Sequence, residues 1–215
     1  MDVQLIESMG SDLTVVNAAR VSFDKHHEHF TKGDEKLIVY LAEHGHWTPF
    51  GHPQLQFRIS APIFVARQLV KHQVGLVWNE VSRRYVSDSP TFYMPTQWRE
   101  KAVNKKQGSE DVVTLSSSTK DAVKNLYKQI LDTYTKLLEH ENVAPEMARM
   151  ILPQSMYTEW YWTGSLYAFA RVCSLRISED AQEETQYIAQ KISTLIETKF
   201  PISWRYLIFV YNNKL

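Results

Sequence analysis

The sequence predicts an α+β fold, rich in helices, with a small and mostly antiparallel sheet. The chain has 215 residues, enough for one sizeable core. Its residues are 44% hydrophobic and 22% charged, which is typical of a globular protein. Several stretches carry apolar residues at helical spacing, and one shows the alternation of a half-buried strand. We therefore expect a single domain over residues 1–215, without repeats or low-complexity tracts.

The first strong element is a helix over residues 35–44, where apolar positions recur at helical spacing. Asp34 stands where a helix cap belongs, and Gly45 ends the pattern. The proline and glycine content of residues 46–53 then favours a loop. The chain therefore leaves this helix through a turn-rich connection.

Residues 54–60 alternate polar and apolar side chains, which is typical of a half-buried strand. The residues predicted to share its buried face are Leu55, Phe57 and Ile59. Pro62 suits the first turn of a helix, which we predict over residues 62–73. Beyond that helix, residues 79–84 are predicted to be irregular.

The second half of the chain predicts a loop followed by helices. Residues 105–118 are polar and turn-rich, which favours a surface loop. Asp180 is followed three residues later by Glu183, a capping-box pattern for the last helix. The predicted helices cover residues 119–140, 145–152, 165–176 and 180–199. Helices therefore outweigh strands.

Charge and hydropathy exclude several classes of function. The 24 Lys and Arg residues balance the 24 Asp and Glu residues, so no overall field steers the molecule to a nucleic acid polymer or an anionic membrane. The N-terminus lacks a basic region followed by an apolar stretch, and no apolar run approaches the ~20 residues of a membrane span. We therefore expect a cytoplasmic protein in which any phosphate binding is local.

The single cysteine, Cys173, excludes an internal disulfide framework and a four-cysteine zinc site. It lies at helical spacing from Phe169 and Ala170, as on a buried helix face, so we predict a packing role rather than a nucleophile. His46 and His52 flank a turn without a third ligand at zinc-like spacing. No metal site is therefore predicted.

Residues 67–86 combine donors, a carboxylate and aromatic groups more densely than a solvated surface needs. Gln68 and His72 share one face of the helix predicted over residues 62–73. In the segment that follows, Ser82 and the neighbouring arginines leave hydroxyl, guanidinium and backbone donors free to meet a phosphate. The alternative is a solvated face with local ion pairs.

The letters RQLVKHQ at 67–73 and NEVSRRY at 79–85 resemble the signature of the flavin-dependent thymidylate synthases. That signature is usually written Arg-His-Arg, a spacer and Asn-Glu-x-Ser-x-Arg-Tyr. Other segments similar to this family, in the family's order, are NAARVSF at 17–23, GHWTPFGH at 45–52, APIFVARQ at 61–68, ARMILP at 148–153 and SLYAFARVCSLR at 165–176. Two features depart from the pattern: Lys71-His72-Gln73 replaces Arg-His-Arg, and the spacer is one residue longer.

The resemblance implies reductive methylation of dUMP to dTMP, with methylenetetrahydrofolate as carbon donor, FAD as hydride carrier and NADPH as reductant. It also implies an arginine, instead of a cysteine nucleophile, that favours the ionised N3 of the pyrimidine. Arg176 matches that arginine. The alternative for Arg176 is a helix-terminal cation that complements the helix dipole. Family members are homotetramers whose active sites combine residues of several subunits, and the resemblance implies the same assembly here.

The resemblance also assigns individual site residues. The positions that match the family's nucleotide site are Gln68, Leu69, Val70, Lys71, Glu80, Val81, Ser82, Arg83, Arg84, Arg149 and Arg176. Those that match its flavin site are His46, Thr48, Lys71, His72, Gln73, Glu80, Ser165, Tyr167 and Arg171. The family more often has Asn where Ser165 and Arg171 stand. The loss of two guanidinium groups from the triplet changes the geometry of the flavin contact.

Two alternatives to this function are open at the level of sequence. The altered triplet could accompany a related flavin enzyme that methylates or hydroxymethylates another pyrimidine nucleotide. It could also accompany a non-catalytic nucleotide-binding protein that retained the arginine-rich phosphate site.

Overall fold

The structure, a computed structural model, describes residues 1–103 and 108–214. The helices are α1 (Asp12–Arg20), α2 (Lys32–Glu43), α3 (Ile63–Leu69), α4 (Ser117–Glu139), α5 (Pro145–Ala148), α6 (Leu166–Arg176), α7 (Glu183–Glu197) and α8 (Pro201–Lys214). The strands are β1 (Asp2–Met9), β2 (Gln54–Pro62), β3 (Leu76–Glu80), β4 (Trp98–Lys101), β5 (Ser109–Val113) and β6 (Tyr157–Ser165). Short 3-10 helices cover Val21–Phe23, Thr48–Gly51 and Arg149–Ile151. The predicted α+β class is confirmed.

The main sheet has the order β1-β2-β6-β3, and each neighbouring pair is antiparallel. Alternation along β2 buries Leu55, Phe57 and Ile59 on one face, as predicted. The same face of β6 carries Trp160 and Trp162, which are also buried. A wide apolar layer therefore covers one side of the sheet.

Helix α6 packs on this layer and forms the centre of the core. Phe169 lies edge-on to Phe57 and Trp162, with ring centroids 5.0 and 5.3 Å apart. Cys173 is fully buried on the same helix, which confirms the predicted packing role. Arg176, the last residue of α6, lies where this helix leaves the core. The packing of α6 therefore fixes the position of the Arg176 backbone, from which its side chain extends.

Helix α2 begins three residues earlier than predicted, and Asp34 is not its cap. Thr31 is the N-cap, and the Asp34 carboxylate accepts hydrogen bonds from the Thr31 backbone N–H at 2.7 Å and hydroxyl at 2.8 Å. This capping box makes Asp34 the third helical residue. Gly45, with φ of +70°, follows the helix in the left-handed conformation expected at its end.

Helix α3 is shorter than the predicted helix over residues 62–73. Pro62 is the last residue of β2 and the N-cap of α3, which ends at Leu69. Gly75, with φ of +76°, then turns the chain into β3. Asn79 and Glu80 belong to β3, so the prediction of an irregular segment holds only beyond them. Pairing with β6 gives these two residues an extended conformation, although the sequence alone suggested a loop.

The prediction of a loop over residues 105–118 is wrong at residues 109–113, which form β5 and pair with β4, and at residues 117–118, which begin α4. Residues 105–107 lie outside the described part of the chain. The predicted cap Asp180 is also wrong, because α7 starts after Gln182, whose carbonyl accepts from the Thr185 amide at 2.8 Å. Within the described residues, no helix is long and apolar enough to cross a membrane.

The other predicted helices are present with changes at their ends. Residues 119–140 correspond to α4 and residues 165–176 to α6, with ends that differ by two residues at most. Residues 145–152 divide into α5 and a 3-10 helix that ends at Ile151. Strands β1 and β6 and helices α1 and α8 were not predicted, although each contributes apolar side chains to the core or its margin. Strand β4 was not predicted either.

Candidate active site

The loop that follows α3 runs against the first turn of α6. A Cβ at Gly75 would lie 3.2 Å from the Cβ of Ala168. A Cβ at Gly164 would lie 2.6 Å from the carbonyl oxygen of Gly75. Glycine at both positions permits this close approach. The side chains between α3 and β3 are thereby placed beside α6.

The central contact of the site joins Arg176 to His72. The Nε of Arg176 donates a hydrogen bond to the Nε2 of His72 over 2.9 Å. Because a guanidinium can only donate, Nε2 must be unprotonated, which assigns the ring proton to Nδ1. Burial, and then the charges of Arg176 and Arg171, lower the pKa of His72 from 6.5 to about 4. His72 is therefore neutral at neutral pH, and Arg176 keeps its full charge.

A small cavity of about 90 Å³ opens between this loop and α6. Its lining residues are Lys71, His72, Gln73, Val74, Leu76, Ala168, Arg171 and Val172. Among the described residues, the lining contributes two cations, Lys71 and Arg171, and no carboxylate. This charge balance favours an anionic ligand or one rich in acceptor oxygens.

A larger cavity, of about 400 Å³, has Arg176 in its lining. Its lining residues are Gln68, Gly108, Leu175, Arg176, Ser178, Asp180, Ala181 and Gln182. The Nε2 of Gln68 donates to Gln182 at 2.7 Å, and its Oε1 accepts from the Thr185 hydroxyl at 3.1 Å. These bonds fix the orientation of the Gln68 amide beside the guanidinium.

A third cavity, of about 660 Å³, lies between α1 and α2 and the 3-10 helix at Thr48. His46, Thr48, Arg20, Ser22 and Tyr40 contribute to its lining. The corner behind it is held by an ion pair between Arg20 and the buried carboxylate of Asp34. The cavity thus combines hydroxyl, imidazole and aromatic groups, a set that suits a large polar aromatic ligand.

Two further residues of the predicted flavin set lie at the start of α6. The Ser165 hydroxyl accepts from the Ala168 amide at 3.2 Å and caps the helix. The Tyr167 ring centroid is 5.5 Å from that of Trp47 and 6.0 Å from that of Tyr211. Ser165 therefore has a local structural role, whereas Tyr167 belongs to an aromatic cluster that extends to α8.

The strand end at Glu80 leads into a turn that carries the predicted phosphate ligands. Glu80 accepts from the Thr158 hydroxyl at 2.8 Å and from the Trp78 indole at 3.1 Å. The amide of Val81 donates to the Glu159 carbonyl at 2.9 Å. The amide of Tyr85 donates to the Ser82 carbonyl at 3.0 Å. The turn at 82–85 is thus anchored to β6 at its start.

The arginines around this turn have different partners. Arg83 donates to the carbonyl of Asp88, which holds the turn together. Arg84 pairs with the Glu146 carboxylate at 3.4 Å, and Arg149 donates to the Glu146 carbonyl at 3.3 Å. The side chains of Arg84 and Glu146 are 52% and 55% exposed, so this pair is weak and open to replacement by a ligand.

Comparison with known proteins identifies the family of this chain. The family model described as "Thymidylate synthase complementing protein" matches residues 4–202. A flavin-dependent thymidylate synthase of Kosmotoga olearia is 38% identical over 216 residues, covering 99% of this chain and 93% of the relative. The chain belongs to the flavin-dependent thymidylate synthase family.

Further members of the family agree with this assignment. The flavin-dependent thymidylate synthase of Thermus thermophilus is 37% identical over 202 residues, covering 94% of this chain and 73% of the relative. Among solved structures, the UMP/dUMP methylase PolB of Streptomyces cacaoi, bound with 5-Br dUMP, superposes with a TM-score of 0.84. Its sequence is 30% identical, and the match covers 95% of this chain and 93% of that chain.

The residues matched to the family's site therefore fall into three groups in this chain. The group at the end of α6 contains Gln68, Lys71, His72, Gln73, Arg171 and Arg176. The second group contains His46 and Thr48, which line the cavity of about 660 Å³, and Tyr167, whose ring packs against that of Trp47, the residue between them. Ser165 lies beside Gly75 and so belongs with the first group. The group at the turn contains Glu80, Val81, Ser82, Arg83, Arg84 and Arg149. Leu69 is fully buried, and Val70 is the C-cap of α3. Both residues therefore help to fix the backbone that carries the side chains of the first group.

Several residues of the site were missed by sequence reasoning. Gln182 and Thr185 hold Gln68, and their spacing at the start of α7 gives no sign of that partner. Arg20 and Ser22 line the large cavity, and their signal was present, because both lie in the family-like string NAARVSF. In the described part of the chain, no three His, Cys, Asp or Glu side chains form a group that could hold a metal ion.

Proposed function

We propose that this protein methylates dUMP reductively to dTMP, with FAD as cofactor, methylenetetrahydrofolate as carbon donor and NADPH as reductant. Membership of the flavin-dependent thymidylate synthases supports the reaction class. The likeness to a methylase named for UMP and dUMP supports a uridine nucleotide as substrate. The observation that carries the proposal is the charged Arg176 held by a neutral imidazole.

Arg176 activates the pyrimidine. A permanently charged guanidinium beside the ring stabilises the ionised N3 and lowers the pKa of the imide. Because Nε of Arg176 is bonded to His72, the two terminal nitrogens of the fork are left to meet a ring oxygen and nitrogen together. The ring then gains electron density for attack on the carbon donor. The Gln68 amide, fixed on the same cavity wall, orients the nucleotide.

The substrate phosphate binds at the turn that follows β3. Ser82 and Arg84 supply the donors there, with the backbone amides of the turn. Arg149 joins them from the 3-10 helix after α5. The remaining members of the proposed nucleotide site are Leu69, Val70, Lys71, Glu80, Val81 and Arg83. Phosphate binding displaces Glu146 from Arg84, which an exposed ion pair permits at little cost.

The residues present suit a flavin. Lys71, His72 and Arg171 line the small cavity, and all three carry N–H groups that can donate to acceptor oxygens. The proposed flavin site is completed by His46, Thr48, Gln73, Glu80, Ser165 and Tyr167, of which Tyr167 and its neighbour Trp47 offer aromatic surface. When bound, the flavin supplies the hydride that completes the methyl group.

Cys173 takes no part in the chemistry. Its side chain is fully buried, and burial raises the pKa of its thiol far above the ordinary value. A nucleophilic cysteine needs the opposite environment, accessible and electropositive. Pyrimidine activation therefore depends on Arg176, which lies three residues later on the same helix.

We further propose that the protein works in the cytoplasm as a homotetramer with shared active sites. The separation of the site residues into groups around α6 and around the turn after β3 supports this assembly. Apolar side chains near both groups are exposed in the single chain, among them Val77 at 65% and Met150 at 69%. Contacts between copies would cover them and combine the groups.

The test combines a spectrum with a product assay. Purified protein should show flavin absorbance that changes when dUMP is added. With methylenetetrahydrofolate and NADPH, it should convert dUMP to a product heavier by one CH₂, because a methyl group replaces one ring hydrogen. Parallel assays with UMP and dCMP separate dUMP from other pyrimidine nucleotides, and product mass separates methylation from hydroxymethylation. Protein that binds no flavin, or that leaves every nucleotide unchanged, would overturn the proposal.

A further inference from the structure

The hydrogen bond between His72 and Arg176 joins the walls of two cavities. His72 lines the small cavity with Lys71 and Arg171, and Arg176 lines the larger one with Gln68. We propose that His72 is a positioning residue that couples the two cavities, so that flavin in one and nucleotide in the other strengthen each other's binding. This inference rests on the proposed function, because it takes the two ligands from it.

The bond has a fixed direction. The Nε–H of Arg176 can only donate, so the Nε2 of His72 accepts and the ring proton lies on Nδ1. Nδ1–H is consequently a donor on the other side of the ring, and His72 lines the small cavity. An acceptor atom of the flavin, a ring carbonyl or a phosphate oxygen, can receive this hydrogen bond. The result is one chain of hydrogen bonds from cofactor to imidazole to guanidinium.

Hydrogen bonds in such a chain polarise one another. An acceptor at Nδ1–H increases the electron density at Nε2, which strengthens its bond to Arg176. Arg176 is then held more firmly in the direction of the larger cavity, and less entropy is lost when the nucleotide binds. By thermodynamic linkage, the nucleotide must improve flavin binding by the same factor. Burial and the charges of Arg176 and Arg171 disfavour a protonated imidazole and so maintain the direction of the chain, and Lys71 lines the same cavity as a further cation.

The surroundings of the pair distinguish positioning from packing. Only one edge of the Arg176 guanidinium, its Nε–H, is bonded to His72. A side chain of the same size without an acceptor would fill the space but leave the guanidinium free to rotate. Gln can replace both functions of the ring, because its carbonyl accepts and its NH₂ donates. His72→Gln and His72→Leu therefore separate coupling from volume.

The experiment measures binding of FAD and dUMP, each alone and in the presence of the other, in wild type, His72→Gln, His72→Leu and His140→Leu. His140 is exposed at the end of α4, so its replacement is a matched control. In wild type we expect saturating dUMP to tighten FAD binding about tenfold, and FAD to tighten dUMP binding equally. The factor should fall to about one in His72→Leu, retain its larger part in His72→Gln and stay unchanged in His140→Leu.

Each outcome decides between the two proposals. Wild-type protein that binds both ligands without mutual effect overturns the coupling and leaves the proposed function intact. Wild-type protein that fails to bind one of them overturns the proposed function. An unchanged factor in His72→Leu shows that the coupling runs elsewhere and overturns the role of His72.

A second measurement covers the case in which His72→Leu does not fold or binds no FAD. Nitrogen-15 NMR of wild-type protein should show His72 protonated at Nδ1 and bare at Nε2, assigned by its loss in His72→Gln. Addition of FAD should shift the Nε–H resonance of Arg176, assigned by its loss in Arg176→Lys. A proton at Nε2, or an Arg176 resonance that FAD does not move, overturns the inference.

Discussion

Arg99 and Arg176 both lie beside helix α7, but their partners differ in charge. Arg99 donates through one nitrogen to both oxygens of Glu184, at 2.8 and 2.9 Å, and a second nitrogen lies 3.0 Å from Glu183. Its charge is therefore neutralised within the protein. Arg176 is bonded to a neutral imidazole, so its charge is intact.

The partner of an arginine thus indicates what the arginine does. Carboxylates fix Arg99 and, through it, hold the β4–β5 hairpin on α7. Burial alone would raise the pKa of Glu184, but the hydrogen bonds and charge of Arg99 outweigh it and lower that pKa. The ion pair between Arg20 and Asp34 is a second contact in which a carboxylate fixes an arginine. A neutral histidine, in contrast, orients Arg176 without neutralising its charge, which is what the proposed role toward a pyrimidine anion requires.

The largest expected effect is on chemistry at the imidazole-bound arginine. Arg176→Ala should fold and hold FAD, yet form dTMP about 10²- to 10³-fold more slowly, because a charge-stabilising donor is lost. Arg176→Lys should restore only part of the rate, since it lacks the planar fork. NADPH oxidation and dTMP formation, measured side by side, check this. If dTMP formation survives in Arg176→Ala, Arg176 is only a helix-end residue.

The next effect is on stability at the carboxylate-bound arginine. Arg99→Ala leaves the Glu184 side chain, only 6% exposed, without its counter-ion and should destabilise the fold by about 3 kcal/mol. Arg58→Ala is the matched control, because Arg58 and Glu159 form a largely exposed pair whose loss should have little effect on stability. Urea unfolding of both variants measures the difference. Similar losses of stability in Arg99→Ala and Arg58→Ala would contradict the structural role assigned to Arg99.

A smaller effect is expected in the pH dependence of stability, through the titration of His72. Because the pKa of His72 falls from 6.5 to about 4 on folding, the unfolded chain binds the extra proton first. This term makes wild-type stability decrease as the pH falls between those values. His72→Gln removes the term, so the free energy of unfolding should vary less steeply with pH in that window than in wild type. Parallel slopes for the two proteins would show that His72 titrates normally.

The smallest effect is expected at Cys173. Cys173→Ala should cost about 1 kcal/mol, because a small buried group is removed from the core. It also removes a weak hydrogen bond from Sγ to the Ala189 carbonyl, 3.5 Å away. Formation of dTMP by the folded variant should stay close to wild type, which thermal unfolding and a methylation assay would check together. A folded, flavin-bound variant without activity would restore the thiol as a candidate nucleophile.

Much of the fold could be predicted from local pattern. The alternation at Leu55, Phe57 and Ile59 was informative because β2 buries one face. The spacing of Phe169 and Cys173 indicated the core face of α6 for the same reason. Helix ends were less accurate. The Gln182 cap depends on a backbone bond that several nearby residues could equally have made. At α2 the prediction chose Asp34, which is the other member of the capping box that Thr31 begins.

The rest depends on contacts between distant parts of the chain. Strand β5 lies in a polar stretch that pattern alone assigns to a loop, and its pairing with β4 becomes visible only in three dimensions. His72 and Arg176 are 104 residues apart, and both were predicted to be site residues. The sequence around them gives no sign of the hydrogen bond between them. Their residue types could be matched to a family, whereas their partnership required the fold.

The central claim, that the charge of Arg176 is reserved for the ionised pyrimidine, is tested most directly by comparing dUMP with 5-bromo-dUMP. Bromine makes N3–H more acidic, so a site that stabilises the N3 anion should bind the bromo compound more tightly. Wild type should show this preference, and Arg176→Ala should lose it. Arg84→Ala, at the proposed phosphate site, should weaken both ligands equally and keep the ratio. An undiminished preference for 5-bromo-dUMP in Arg176→Ala would contradict the claim.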